Sequence, residues 1–197
     1  MAIIRVAREA DARTMLAIYA PYVRDTAISF ELEPPTEEEF QQRMRSTLQV
    51  GLWLACEAGS TLLGYAYAGR FHARPAYQWT VEVTVYVHRD HHRQGVGIGL
   101  YTALLDCLTL QGFHNAVGII ALPNPASVAL HERLGFSPAV ALHGVGYKHG
   151  VWHDVGWWER TLSQRPLSPE PPRPLTAVQG SAPWRHALDR GVGLVRA

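Results

Sequence analysis

Residues 78–88, QWTVEVTVYVH, alternate without a break. Trp79, Val81, Val83, Val85 and Val87 fall on one face, and Thr80, Glu82, Thr84 and Tyr86 on the other, the period-two signature of a strand. The strand runs into RDHHRQGVGIGLY (89–101), with glycines at 95, 97 and 99, and then into the amphipathic LYTALLDCLTLQG, which closes near Gly112. A strand that feeds a helix through a glycine turn commits the chain to layered sheet and helix. It also puts backbone N–H groups, bare at the glycines, at a helix N-terminus, where anions bind.

The rest of the chain fits around this unit. AIIRVA (2–7) reads as a strand. Asp11 is a candidate N-cap for a helix marked by Met15, Tyr19, Tyr22 and Val23. Thr36 and Glu39 fit a capping box, with Pro35 before it, for a helix running to about Leu48. VGLWLACEA and TLLGYAYAGRF form a hairpin through Gly59-Ser60. NAVGIIAL (115–122) is a short buried strand, Ser127 to Leu134 a helix stopped by Gly135, and two strands flank the His149-Gly150 turn. The expected architecture is an α/β sandwich, one mixed sheet with helices on both faces. One domain spans 1–162. In 163–197, RPLSPEPPRPL holds five of the 13 prolines and is expected to be extended, and SAPWRHALDRGVGLVRA to form a short terminal helix.

Composition narrows the function classes. With 197 residues, 47% of them hydrophobic, the chain supports one well-filled core. A formal net charge of +1 without any basic run points away from nucleic acid and anionic membranes. No aliphatic stretch approaches the roughly 18 residues of a membrane span, and Arg5 and Arg8 interrupt any signal-peptide core. Cys56 and Cys107 sit in apolar settings and read as buried thiols of a cytoplasmic protein. His88, Asp90, His91 and His92 lack the spacing of a metal site, so no metal is expected.

The glycine turn must then be matched to its anion. A P-loop needs a lysine inside the motif, and the one lysine of this chain, Lys148, lies far downstream. A dinucleotide fingerprint starting at Gly95 would put its third small residue on Leu100, and the next strand ends in Leu122-Pro123 with no acid for a ribose. A pyrophosphate at the helix N-terminus fits what remains. The opening IIRVAREADARTMLAIY, the glycine loop, and NPASVALHERLGF (124–136), in that order, resemble the GCN5-related N-acetyltransferases. AYAGRFHARPAYQWTVEVTVYVHRDHHRQGVGIGLYTALL, ALPNPASVALHERLGF and GYKHGVWHDVGWWE resemble the phosphinothricin N-acetyltransferase subfamily. The resemblance covers residues 2 to about 162. His92 departs from the family's Gln or Arg, and His72 and Gln78 from its frequent Lys and Asp.

That resemblance implies a mostly antiparallel sheet with splayed central strands, and acetyl-CoA as co-substrate with no metal. It places the pyrophosphate on Arg93, Gln94, Gly95, Val96, Gly97, Ile98 and Gly99. The acyl arm falls along Val85, Tyr86 and Val87, with Asn124 and Ser127 beside it. Glu82, the lone acid of its strand, matches the family's general base, and His131 is an active-site acid or base. Phe30, Arg74 and Tyr77 are implied to line the acceptor pocket, Arg74 as a carboxylate or phosphinate clamp. Lys148 and Trp152 read as structural or interface residues. The expected activity is direct acetyl transfer to the α-amino group of a phosphinothricin-like amino acid. Methionine sulfoximine or sulfone is the alternative acceptor, and a non-catalytic acyl-CoA sensor the alternative from another class. Members are often homodimers.

Overall fold

The computed structural model describes residues 1–196. Its strands are β1 (Ala2–Val6), β2 (Leu52–Ala58), β3 (Thr61–Arg70), β4 (Thr80–Val87), β5 (Asn115–Leu122), β6 (Ser137–Lys148) and β7 (Val151–Thr161). Its helices are α1 (Ala12–Asp25), α2 (Glu37–Leu48), α3 (Val96–Gln111), α4 (Pro125–Arg133), α5 (Leu175–Val178) and α6 (Ala182–Val192). The seven strands form one sheet in the order β1-β2-β3-β4-β5-β7-β6. Every neighbouring pair is antiparallel except β4 and β5, whose parallel ladder is the short one.

Local signals explain most element ends. Thr36 accepts from the Glu39 N–H while Glu39 accepts from the Thr36 N–H, so the capping box forms as read. His149 and Gly150, with φ of +50° and +80°, make the two-residue turn between β6 and β7, the left-handed pair a hairpin twist favours. Asp11 stands at the N-cap of α1 but makes no side-chain cap bond. Its carboxylate instead holds Arg5 at 2.7 Å and the Arg8 N–H at 2.7 Å.

Two cores cover the sheet. On one face, Met15, Ile18, Phe40 and Met44 of α1 and α2 pack on Trp53, Ala55 and Tyr65. On the other, Leu100, Leu104 and Leu108 of α3 pack on Leu54, Ala66, Val81 and Val83. The alternation of β4 therefore sorts as read: its valines face α3, and Tyr86 packs with the α1–α2 cluster. The C-terminal segment joins the α3 side, because Val178, Trp184 and Ala187 are buried in that core.

Lys148 explains how β6–β7 is tied to the rest. Its ammonium donates to the backbone carbonyls of Val23, Ser29 and Glu31 at 2.6, 2.7 and 2.7 Å, and the residue is only 4% exposed. Three carbonyls converging on one compact cation suit lysine rather than the planar fork of arginine. The bond set fixes the α1–α2 connection over the hairpin. Lys148→Met leaves three acceptors without a donor and is expected to lower stability by about 2–5 kcal/mol in a urea melt. Lys148→Arg is expected to recover only part of it.

Candidate active site

The β4–β5 ladder holds only Thr80↔Asn115, Val81↔Ala116 and Glu82↔Val117. Beyond Glu82 the two strands diverge, each kept in the sheet by its other neighbour: β3 pairs with β4 out to Val87, and β7 with β5 out to Leu122. The His88 N–H donates to Leu63 at 2.8 Å. Alternation along the ladder then turns the N–H and C=O groups of Val83, Val85 and Val87 into the gap. One of these is already engaged. The Val87 carbonyl accepts from the Tyr22 hydroxyl at 2.6 Å and lies 3.2 Å from His92 Nε2. Val87 thus has less to offer an acyl arm than its strand position implies, whereas Val85 keeps its place on the open edge.

Glu82 sits at the fork, on the α1–α2 face beside Thr84 and Tyr86. Burial raises its carboxyl above the usual carboxylate range, and the charge of His72 pulls weakly the other way. His131 lies on the opposite face. It is 3% exposed, and its ring rests on Gly118 of β5, where a Cβ would come within 2.6 Å of Cδ2. Its Nδ1 is 2.8 Å from the Ser127 carbonyl and its Nε2 3.3 Å from the Tyr101 hydroxyl. A carbonyl only accepts, so Nδ1 carries the proton and Nε2 of the neutral ring accepts from Tyr101. Burial lowers the His131 pKa and keeps that neutral form at pH 7. Tyr101 is fully buried, its phenol raised well above the ordinary value by desolvation and further by the charges of Tyr67 and Glu82. That phenol, rooted on α3, lies on the α3 face with His131 and Phe136, beside Gly118 next to the fork.

The glycine loop is built as an anion cradle. Arg93 and Gly95 both take left-handed φ, +61° and +82°, a turn pattern that gathers successive N–H groups into a concavity. Gly95 is the N-cap of α3 and supplies no side-chain cap, so the first-turn N–H groups of Val96, Gly97 and Ile98 are left for an external acceptor. The Gln94 side chain is turned inward, donating to the Asp90 carbonyl at 3.1 Å, and Val96 is a core residue. Gly97 faces Leu130 and Val87. Asn124 caps α4, its Oδ1 accepting from the Ser127 N–H at 3.2 Å. Among the described residues, no group of three or more His, Cys, Asp or Glu is placed to hold a metal ion.

Above Glu82 on the α1–α2 face, an aromatic rim forms. Phe71 meets His72, Tyr77 and Trp157 at centroid distances of 4.4, 5.9 and 5.7 Å. By register Glu82 is level with Val117 and Glu159, and Ile119 with Trp157, so the rim borders the same cleft. Tyr77 belongs to it. Arg74 caps the short turn Pro75–Tyr77 through its backbone and is exposed. Phe30 stands farther along, packed over Gly146 of β6 with its ring 6.0 Å from His153. Tyr101, Gly118 and Trp157 were not singled out in the sequence. A lone glycine inside NAVGIIAL is the one legible signal among them, since an interior strand glycine marks a close approach.

Residues 4–157 match the Acetyltransferase (GNAT) domain model. A phosphinothricin N-acetyltransferase from Streptomyces viridochromogenes is 43% identical over 175 residues, covering 89% of this chain and 95% of that protein. An L-methionine sulfoximine/L-methionine sulfone acetyltransferase from Pseudomonas paraeruginosa is 33% identical, covering 84% and 98%. The crystal structure of a phosphinothricin acetyltransferase from Sinorhizobium meliloti in complex with AcCoA superposes with a TM-score of 0.81 at 30% identity, covering 92% of this chain and 96% of that one. With its forked sheet, its capless glycine helix and a family match across most of its length, the chain belongs to the GNAT acetyltransferase family.

Proposed function

We propose that this protein is an acetyl-CoA-dependent N-acetyltransferase acting on the α-amino group of phosphinothricin or a close amino-acid analogue. The observation that carries the reading is the fork itself. It brings a raised carboxylate, an open backbone edge and a buried phenol to one point, at the end of a strand leading to an anion cradle. Acetyl-CoA, when bound, supplies an acetyl group activated as a thioester, and the N–H groups from Val96 to Ile98 suit its pyrophosphate.

Each residue has a distinct task. Glu82 takes the proton from the acceptor ammonium, directly or across one water. The Val85 N–H, on the open edge, stabilises charge developing on the acyl oxygen. The Tyr101 hydroxyl, held by His131 Nε2 in the free site, turns its one proton to the departing sulfur when the acyl arm is bound, and the phenolate regains a proton from solvent after CoA leaves. A neutral His131 has no proton on the nitrogen that faces Tyr101, so orientation rather than direct acid catalysis is its role. Arg74 pairs with the acceptor's anionic group, and the Phe71–Tyr77–Trp157 rim encloses its apolar part. Asn124 and Ser127 flank the acyl arm. Methionine sulfoximine and sulfone are the second acceptor class, favoured by the relative at 33% identity. A sensor that only binds acyl-CoA gains nothing from a half-buried carboxylate at the fork.

The exposed apolar side chains of β6 and β7 point to a homodimer. Val145, Tyr147, Val151 and Trp152 are each more than half exposed on an edge hairpin, a surface that is a liability unless covered. Cys56 and Cys107 are buried free thiols, their pKa values pushed up to about 11 and about 12 by burial, in keeping with a cytoplasmic enzyme.

Free CoA release with acetyl-CoA and an acceptor panel tests the activity. Phosphinothricin is expected to turn over faster than methionine sulfoximine, methionine sulfone, ordinary amino acids or polyamines. Tight acetyl-CoA binding without turnover of any acceptor would favour the sensor. Glu82→Gln should cut kcat at neutral pH by about 10²-fold or more. The same change should raise Tm near neutral pH. A carboxyl whose folded pKa is raised favours the folded state below its unfolded pKa, and loses that contribution as pH rises through the folded value. In the wild type, kcat/KM should rise with pH through the elevated Glu82 pKa, and Glu82→Gln should abolish that limb. Tyr101→Phe should lower kcat by about tenfold or more while leaving KM for acetyl-CoA near the wild-type value. Light scattering should give a dimer mass, and Trp152→Glu should shift it to monomer.

A further inference from the structure

The three glycines of the loop do not share one task. Only Gly97 looks toward the cleft, at Leu130 and Val87. Gly99 is pressed against α6, where a Cβ would lie 2.6 Å from the Gly191 carbonyl oxygen. A Cβ on Gly191 would in turn lie 2.8 Å from the Ala103 Cβ and 3.0 Å from Ile4 Cδ1. Gly99 and Ala103 are one helical turn apart and so form a small-residue stripe on α3. Two backbones approach there as closely as side chains permit.

Past α6 the chain turns back over the loop. The Gly193, Leu194 and Val195 N–H groups bond to Asp189, Gly191 and Val192 at 2.9, 3.1 and 3.0 Å. This turn places the Leu194 carbonyl where a Cβ on Gly95 would collide with it. The Arg196 N–H then donates to the Gln94 carbonyl at 2.8 Å. Trp184, 2% exposed, anchors the segment from below, and Arg190 meets Asp106 at 2.7 Å. The segment lies wholly outside the residues 4–157 that match the family model.

The loop needs such a support. Arg93 holds a φ of +61°, a conformation that is strained for a residue with a side chain and persists only where the surroundings over-determine it. The adjoining Gln94–Gly95 peptide is the one that Arg196 and Leu194 fix. We propose that residues 182–196 are a strap that positions the anion-binding loop, so that affinity for acetyl-CoA depends on the docking of α6. The strap works on the loop and not on the fork, so it governs KM for acetyl-CoA and leaves kcat alone. This rests on the reading of the loop as the acetyl-CoA site.

Calorimetry of the wild type with CoA comes first. An absence of binding would sink the acetyl-CoA reading and the strap with it. With binding established, reciprocity requires that a ligand favoured by the docked strap also favour docking. Saturating CoA should therefore slow hydrogen exchange of the amides in 183–195 and leave the His149–Gly150 turn unchanged. Unchanged exchange in 183–195 would refute the strap. Gly191→Leu in the full chain should speed exchange in 183–195, raise the CoA Kd and the acetyl-CoA KM about tenfold or more, and leave kcat and the acceptor KM within about twofold. Undocking of α6 with an unaltered CoA Kd would overturn the proposal. Arg190→Glu, a milder change at the surface, should move the same quantities in the same direction if Gly191→Leu fails to fold, and an undocked strap with wild-type affinity in that variant would equally refute it.

Discussion

The structure depends on the early end of one hydrogen-bonded ladder. β4 and β5 share three residue pairs and then part. An open edge inside a sheet would normally be costly, since buried backbone groups need partners. Here the outer neighbours, β3 and β7, carry the structural load, and the inner edges are released. The Val87 carbonyl shows how one end of the gap is closed from within, by Tyr22 and His92. The remaining edge keeps its backbone groups free of a neighbouring strand.

The fork also settles how the two faces of the sheet communicate. Glu82 belongs to the face covered by α1 and α2, and His131 to the face covered by α3. In an unbroken sheet such residues would be isolated by a layer of backbone. Gly118 removes a side chain at the level of the fork and admits the imidazole. The Tyr101 phenol meets that imidazole on the α3 face, its pKa raised by desolvation and further by the charges of Tyr67 and Glu82. Burial pushes the groups in complementary directions. Glu82 binds a proton more readily, His131 less readily, and Tyr101 stays protonated.

Much of this was legible because it rests on short-range rules. The period-two pattern of 80–87 assigned Glu82 its face, the Thr36–Glu39 box set the start of α2, and the glycines with their missing lysine excluded nucleotide readings. The resemblance supplied His131, and the structure then gave it a tautomer that spacing cannot reveal. What stayed hidden depends on packing between distant segments. Tyr101 reads as another core residue of an apolar helix until Gly118 and His131 are brought against it. Lys148 reads as a structural or interface residue, and only the fold shows that three carbonyls from another part of the chain surround it. Phe30 and Tyr77 were grouped by family position. The structure puts Tyr77 in the rim with Phe71 and Phe30 over the β6–β7 hairpin, because the first follows β3 and the second is pinned by the Lys148 bonds at Ser29 and Glu31.

The glycine loop shows how much a motif leaves unsaid about what surrounds it. A glycine is required wherever another backbone comes too close for a Cβ, and the sequence does not say which backbone. The bare N–H groups at the helix start are of the kind that suits an anion. The opposite side of the same turn is occupied by Leu194 and Gly191, against Gly95 and Gly99. Gly95 and Gly99 thus meet the C-terminal segment and Gly97 the Leu130–Val87 side, and alternate spacing is what leaves both sides of one short segment free for close approach. A side chain at Gly99 would leave the cleft-side groups in place and displace α6, whereas one at Gly97 would intrude on the cleft. The two glycines are therefore not equivalent, although they are two positions apart and look alike in the sequence.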